Sequence, residues 1–217
     1  YVDNKNADIE SIEMLFPEKM QTKNFFGSFQ MWVANSIEHS VPAVIGDIVY
    51  KLKNKIIENA ESLIKYNYNF VTYLNNVKNA IFEKSNNIIL LSMIGDIGIK
   101  YENLIPGYAL SLATDIKIIF WDIQRYTRMN PNGDMKKLKE LIFLTAGVPN
   151  LNDRYDEQEK PAFILRNYVC HMQFYEESKE QCYKILDYLY SKYPNEESTA
   201  NEHLQIQQMD LRSSEVE

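Results

Sequence analysis

The chain has 217 residues, 45% of them apolar and 24% charged, with a formal charge of −7. That is enough to bury a core in one domain or two small ones, and it excludes a broad basic face for duplex DNA while leaving room for a local RNA cleft. Two cysteines, Cys170 and Cys182, have no close-spaced partners, so neither a disulfide framework nor a zinc site is indicated and a cytoplasmic location is expected.

Seven glycines and seven prolines are few against the abundance of Leu, Ile, Lys, Glu, Asn and Tyr, which favours long helices. The expected fold class is all-α, a multihelical bundle. In chain order, residues 1–25 read as a leader with one short helix around Ile9 to Phe16. Residues 26–101 carry helical patterns at about Phe26 to His39, Pro42 to Tyr66, Phe70 to Lys84 and Asn87 to Tyr101, separated by turns rich in Asn and Ser. Pro106-Gly107 then opens a long apolar-periodic run to about Met129. Its most hydrophobic part is interrupted by Ser111, Thr114, Asp115, Lys117 and Asp122, so it reads as a buried helix and not a membrane span. Asn130-Pro131-Asn132-Gly133 makes a turn, Asp134 caps a helix that stops at Gly147, and Val148 to Lys160 form a loop. Pro161 suits the first turn of the next helix, and Ser178 with Gln181 is a capping-box pattern for another that runs to about Tyr193. Together these make residues 102–193 a second helical segment. Residues 194–217, poor in apolar periodicity, read as a polar tail. No alternating strand pattern stands between the helices, so no sheet-based nucleotide sensor is expected within these residues. The chain begins at Tyr1, which suggests a fragment or a cleaved form.

The chemistry concentrates in Arg166-Asn167-Tyr168-Val169-Cys170-His171. Arginine keeps its charge and presents a fork of donors to phosphate, while histidine exchanges protons near neutrality. On one phosphodiester the pair suffices for transesterification: histidine removes the ribose 2′-OH proton or protonates the 5′-oxygen, and arginine stabilises the phosphorane. On an ideal helix, five residues turn about 500°, which leaves Arg166 and His171 about 140° apart and the pair incomplete by itself.

RNYVCH, on a helical segment near the end of the chain, resembles the Arg-x(4 to 6)-His signature of the HEPN superfamily, in which Asn often follows the Arg. The stretch from Ile57 to Phe70, IENAESLIKYNYNF, resembles the segment that precedes the C-terminal HEPN domain of Csm-type ribonucleases from type III CRISPR systems. The resemblance implies that the C-terminal part, residues 102–193, is a HEPN-like catalytic bundle, with residues 26–101 preceding the HEPN domain or forming part of it. It also implies a metal-independent endoribonuclease for single-stranded RNA, acting as an antiviral effector, in which a two-fold homodimer lines one cleft with Arg166, Asn167 and His171 from both protomers. In that family a separate sensor domain binds cyclic oligoadenylate, and no such domain is legible here, so no cofactor is expected to bind this chain. HEPN toxins carry a tyrosine two residues after the histidine, whereas Gln173 stands here, a departure from the toxin subtype.

Other candidates have plainer readings. Arg125, Arg128, Lys136, Lys137 and Lys139 form either an electropositive RNA lip around the 130–133 turn or a solvated charge run. Trp121 and Tyr126 are base-stacking candidates or core, and Glu176 and Glu177 either tune His171 or are exposed acids. Asp96, within Gly95-Asp96-Ile97-Gly98, lacks the Lys-Ser/Thr partner of a phosphate loop. His39 and His203 lack companions at metal spacing, and Cys170 beside His171 points away from it on a helix. The rival functions are an abortive-infection or toxin ribonuclease with the same chemistry, a non-catalytic interaction module, and a scaffold of a larger assembly.

Overall fold

In the computed structural model, which describes residues 9–16, 21–33, 43–129 and 165–212, the chain is mostly helical. The described residues begin with an antiparallel hairpin, β1 (Glu10–Phe16) and β2 (Gln21–Gly27), paired from Glu10↔Gly27 to Phe16↔Gln21. The hairpin corrects the helix expected over Ile9 to Phe16. Ile12 and Met14 are buried while Ser11 and Glu13 are exposed, an alternation only four residues long. Ile9, Ile12 and Phe16 fit a helical spacing equally well, so pattern alone does not choose. Tertiary partners do. The Leu15 amide donates to Thr114 Oγ1 at 2.9 Å, and the Phe26 amide donates to Asn86 O at 2.7 Å. Gly27 lies so close to Ile88 that a Cβ would sit 1.9 Å from its Cγ2.

The helical expectations hold better. α1 (Phe29–Trp32) lies within the expected Phe26 to His39 span, but Phe26 and Gly27 belong to β2 and residues 34–40 lie outside the described residues. α2 (Ala43–Lys65), α3 (Phe70–Lys84) and α4 (Ile88–Lys100) match their expected spans to within a residue. Asparagine punctuates them: Asn67 takes a left-handed φ of 62°, Asn69 Oδ1 accepts from the Thr72 amide, and Asn87 Oδ1 accepts from the Ile89 amide. At the other end of α3, Lys23 Nζ donates to the carbonyls of Phe82, Glu83 and Ser85, which ties the hairpin to a helix C-terminus. The mostly buried α4 passes the following segment at Gly98, where a Cβ would come within 2.5 Å of Ala109 Cβ. The glycines of Gly95-Asp96-Ile97-Gly98 therefore serve helix packing.

The run expected to be one helix to Met129 is broken. Residues Leu110–Thr114 form a 3-10 turn, Asp115 is extended, and α5 (Ile116–Met129) starts anew with Asp115 Oδ1 accepting from the Lys117 amide. An aspartate that satisfies the first amides of a helix competes with continuing the previous one, and that is why the run divides. The 130–133 turn, the helix from Asp134, the 148–160 loop and Pro161 lie outside the described residues.

α6 (Leu165–Met172) carries RNYVCH, α7 (Glu176–Lys192) follows after a tight turn, and α8 (Ala200–Met209) ends the described chain. α7 begins two residues before Ser178, which is buried and donates its Oγ to Met172 O at 2.6 Å instead of capping the helix. α8 corrects the polar tail. Ile206 and Met209 have no exposed surface, and Gln173 Nε2 donates to Met209 O at 2.6 Å while its Oε1 accepts from the Leu211 amide. Two apolar anchors are too few to register as periodicity, yet each contributes about 1.5–3 kcal/mol on burial. One buried cluster runs from Ile12 of β1 through α4 and α6 to Met209. No helix among the described residues is long and apolar enough to cross a membrane.

Candidate functional site

α6 is built by a stripe of core residues. Leu165, Tyr168, Val169 and Met172, at i, i+3, i+4 and i+7, are all buried. Arg166, Asn167 and His171 fall off that stripe and are half-buried. Asn167 and His171 are four apart and share one face, whereas Arg166 lies on the flank beside Cys170. The helix is pinned at its start by α5: Asp122 Oδ2 accepts from the Leu165 amide at 2.6 Å, satisfying a donor that the first turn leaves open.

Asp122 belongs to a buried ionic network. Its Oδ1 lies 2.6 Å from Arg125 Nη2, Arg125 Nη1 lies 3.2 Å from Asp96, and Asp96 also binds Lys53 Nζ at 2.8 Å. Burial pushes the Asp122 carboxyl up, opposed by Arg125 and the Leu165 amide. Burial also works against the charge on Arg125, but Asp122 and Asp96 more than offset it. Arg125 is 7% exposed and so is not part of an RNA lip. A residue that looks basic and solvated in sequence is here the partner of two carboxylates. The side chain of Arg128 and all of Lys136, Lys137 and Lys139 lie outside the described residues, as does His39.

Arg166 is held from α8, with Nη1 donating to Gln208 Oε1 at 2.9 Å and Gln205 Oε1 at 3.2 Å. These are neutral acceptors. Three arginines have described side chains; Arg125 and Arg212 each pair with two carboxylates, and Arg166 has no carboxylate partner among the described residues. Desolvation lowers its pKa, with nearby Cys170 acting in the other direction. A half-buried cation with only carboxamide partners keeps most of its appetite for an anion.

His171 faces another way. Its Nδ1 lies 3.5 Å from Glu102 Oε2, and its ring meets Tyr175 edge-on at 5.4 Å. Tyr175 donates its hydroxyl to Asn103 Oδ1. Glu102 and Asn103 sit on the segment between α4 and the 3-10 turn, which is fastened to α6 by the Ala109 amide donating to Tyr168 Oη at 3.3 Å and the Gly107 amide to Met172 Sδ at 3.1 Å. Gly107 makes that approach at φ 81°, a conformation that favours glycine.

Within one chain, then, Asn167 and His171 come together, while Arg166 turns toward α8. Glu176 and Glu177, weighed as neighbours of the histidine, are exposed on the first turn of α7, and Glu102 stands beside the ring instead. Glu102, Gln205 and Gln208 carry no signal in sequence, because each meets α6 only through the fold. Trp121 is core at 8% exposure and Tyr126 is half-buried. His203 Nδ1 contacts Tyr193 O at 3.0 Å, within α8's own seat. Burial pushes the Cys170 thiol up to about 11 and the Cys182 thiol up to about 12, so neither is a ready nucleophile. Among the described residues no group of three or more His, Cys, Asp or Glu side chains could hold a metal ion. No protein-family model matches the chain, and no significant match is found among curated proteins or solved structures.

Proposed function

We propose that this chain is a metal-independent endoribonuclease of HEPN type that cleaves single-stranded RNA as a homodimer, in the manner of a CRISPR antiviral effector. The observation that carries the reading is Arg166: a half-buried guanidinium with neutral partners only among the described residues, on the helix that also presents Asn167 and His171. Such a cation is stabilised by a phosphate more than by any group described around it. His171 removes the 2′-OH proton, O2′ attacks phosphorus, and the bond to O5′ breaks as that oxygen takes up a proton. The products are a 2′,3′-cyclic phosphate and a 5′-hydroxyl, and DNA, lacking the 2′-OH, is spared. An abortive-infection or toxin ribonuclease would use the same steps under another control.

A second reading draws on the same contacts. In it, Arg166 is a clasp whose bonds to Gln205 and Gln208 hold α8 on α6, in a protein that only binds partners. One experiment separates the two. If the site is catalytic, Arg166→Ala and His171→Ala each lower kcat/KM on a single-stranded RNA by about a hundredfold or more, and EDTA leaves the wild-type rate unchanged. If Arg166 is a clasp alone, Arg166→Ala lowers thermal stability and His171→Ala changes nothing.

A further inference from the structure

We infer that Glu102 is a positioning residue for His171, accepting the Nδ1 proton and so fixing the tautomer in which Nε2 carries the proton exchange with substrate. The catalytic part of this inference rests on the ribonuclease reading; the pairing of the two side chains does not.

The two facing atoms, His171 Nδ1 and Glu102 Oε2, are both shielded from solvent and lie 3.5 Å apart. An ionised carboxylate can only accept, so the contact is favourable only when Nδ1 carries hydrogen. Placing the proton on Nε2 instead would set two lone-pair atoms against each other without water to separate them, and a buried polar atom left in that state is costly. The separation is longer than a tight hydrogen bond. Catalytic hydrogen bonds commonly shorten when substrate is bound, and a few tenths of an ångström suffice here.

The surroundings are built to keep the pair in place. Tyr101, next to Glu102, closes α4 by donating its amide to Ile97 O at 3.1 Å, and the Ile105 amide returns to Tyr101 O at 2.8 Å. The same segment is stitched to α6 at Tyr168 and Met172, on either side of His171 in sequence. Tyr175 blocks rotation of the imidazole from a second direction and is itself tethered to Asn103. Asn103 thus ties the phenol to the same segment that carries the Glu102 carboxylate. The arrangement is that of a base oriented by a third group, reached across 69 residues of sequence between Glu102 and His171.

The test is the tautomer of His171, read from ring 15N shifts in the full chain, alongside RNA cleavage by the same samples. Compared in the neutral form of the ring, wild type is expected to carry hydrogen on Nδ1, and Glu102→Ala to move it to Nε2. The same variant should lose about tenfold to a hundredfold in kcat with KM within about twofold, a share of the acceleration that acid–base help supplies. Should Glu102→Ala fail to fold, Glu102→Leu, close in size and without an acceptor, gives the same measurement. An unchanged tautomer in the variant overturns the pairing, and a changed tautomer with unchanged kcat overturns the positioning role. If His171→Ala cleaves as well as wild type while the tautomer responds to Glu102, it is the ribonuclease reading that fails and the catalytic role with it, leaving a structural pair.

Discussion

Arg166 and Asp210 show how two side chains near α8 differ in what neutralises them. Arg166 meets carboxamides, so its bonds to Gln205 and Gln208 hold it in place without cancelling its charge. Hydrogen bonds to a charged group contribute about 1.5–3 kcal/mol, and less for a half-exposed one, so Arg166→Ala should cost little stability even if it abolishes function. Asp210 is the opposite case. Burial alone would raise its carboxyl, but Arg212 binds it through both Nε and Nη2, and with its own amide holds it below the ordinary value of 3.8. A carboxyl whose folded pKa is depressed adds stability above its unfolded pKa and loses it as pH falls through the folded one. Acid should therefore loosen the end of α8 as pH drops below about 3.8, while at neutral pH the clasp is fully present. Hydrogen exchange of the α8 amides as a function of pH checks this: Asp210→Asn should exchange faster than wild type at neutral pH and lose the difference in acid. Equal exchange at every pH would rule the clasp out.

At the scale of elements, the motif helix depends on α5. Asp122 closes the first turn of α6 through the Leu165 amide and at the same time neutralises Arg125, which is 7% exposed. Removing one member of a buried ion pair leaves the other uncompensated and costs about 3–5 kcal/mol, whereas replacing both by apolar groups is often neutral. Asp122→Ala should fall in that range in urea denaturation. The double variant Asp122→Leu/Arg125→Met should be more stable than Asp122→Ala, because no buried guanidinium is left short of one of its two carboxylates. A cost below about 1 kcal/mol for the single variant would mean that water or Asp96 alone compensates Arg125. The hairpin and α8 illustrate the same dependence of elements on partners. β1 is a strand because Thr114 and β2 take its backbone groups, and α8 is seated because Gln173 takes both a carbonyl and an amide at its end.

At the scale of the whole molecule, the division of α6 matters most. Arg166 turns toward α8 and His171 toward Glu102, about 140° apart on an ideal helix, so under the proposed function a single chain would present half of a phosphate site at each flank. A two-fold axis passing beside Asn167 would set the Arg166 of one protomer near the His171 of the other, and symmetric dimers are the commonest closed assembly. The dimer and its shared cleft belong to the proposal, and mixing tests them. Added in excess, His171→Ala protein should form heterodimers with wild type and depress its specific activity if the cleft needs both histidines, and should leave part of it if one suffices. Full activity in a monomer, measured by mass in solution at the assay concentration, would reject the shared cleft.

Much of the helical order is legible in the residues themselves. Apolar spacing and asparagine punctuation mark α2, α3 and α4, and a 3.6-residue stripe places Arg166, Asn167 and His171 outside the core of their helix, because these are local properties of backbone and rotamer. Short or sparse patterns are not legible in the same way. Four alternating residues in β1, two apolar anchors in α8 and an aspartate inside an apolar run each allow more than one local structure, and only the partners brought up by the fold choose among them. The same holds for charge. Sequence shows that Arg125 and Arg166 are cations, but burial beside Asp122 and Asp96 makes one a structural ion and carboxamide neighbours leave the other open to an anion. Glu102 reaches His171 only because a loop fastened to Tyr168 and Met172 carries it there, and the energy of a contact depends on distance in space, which the order of residues along the chain does not specify.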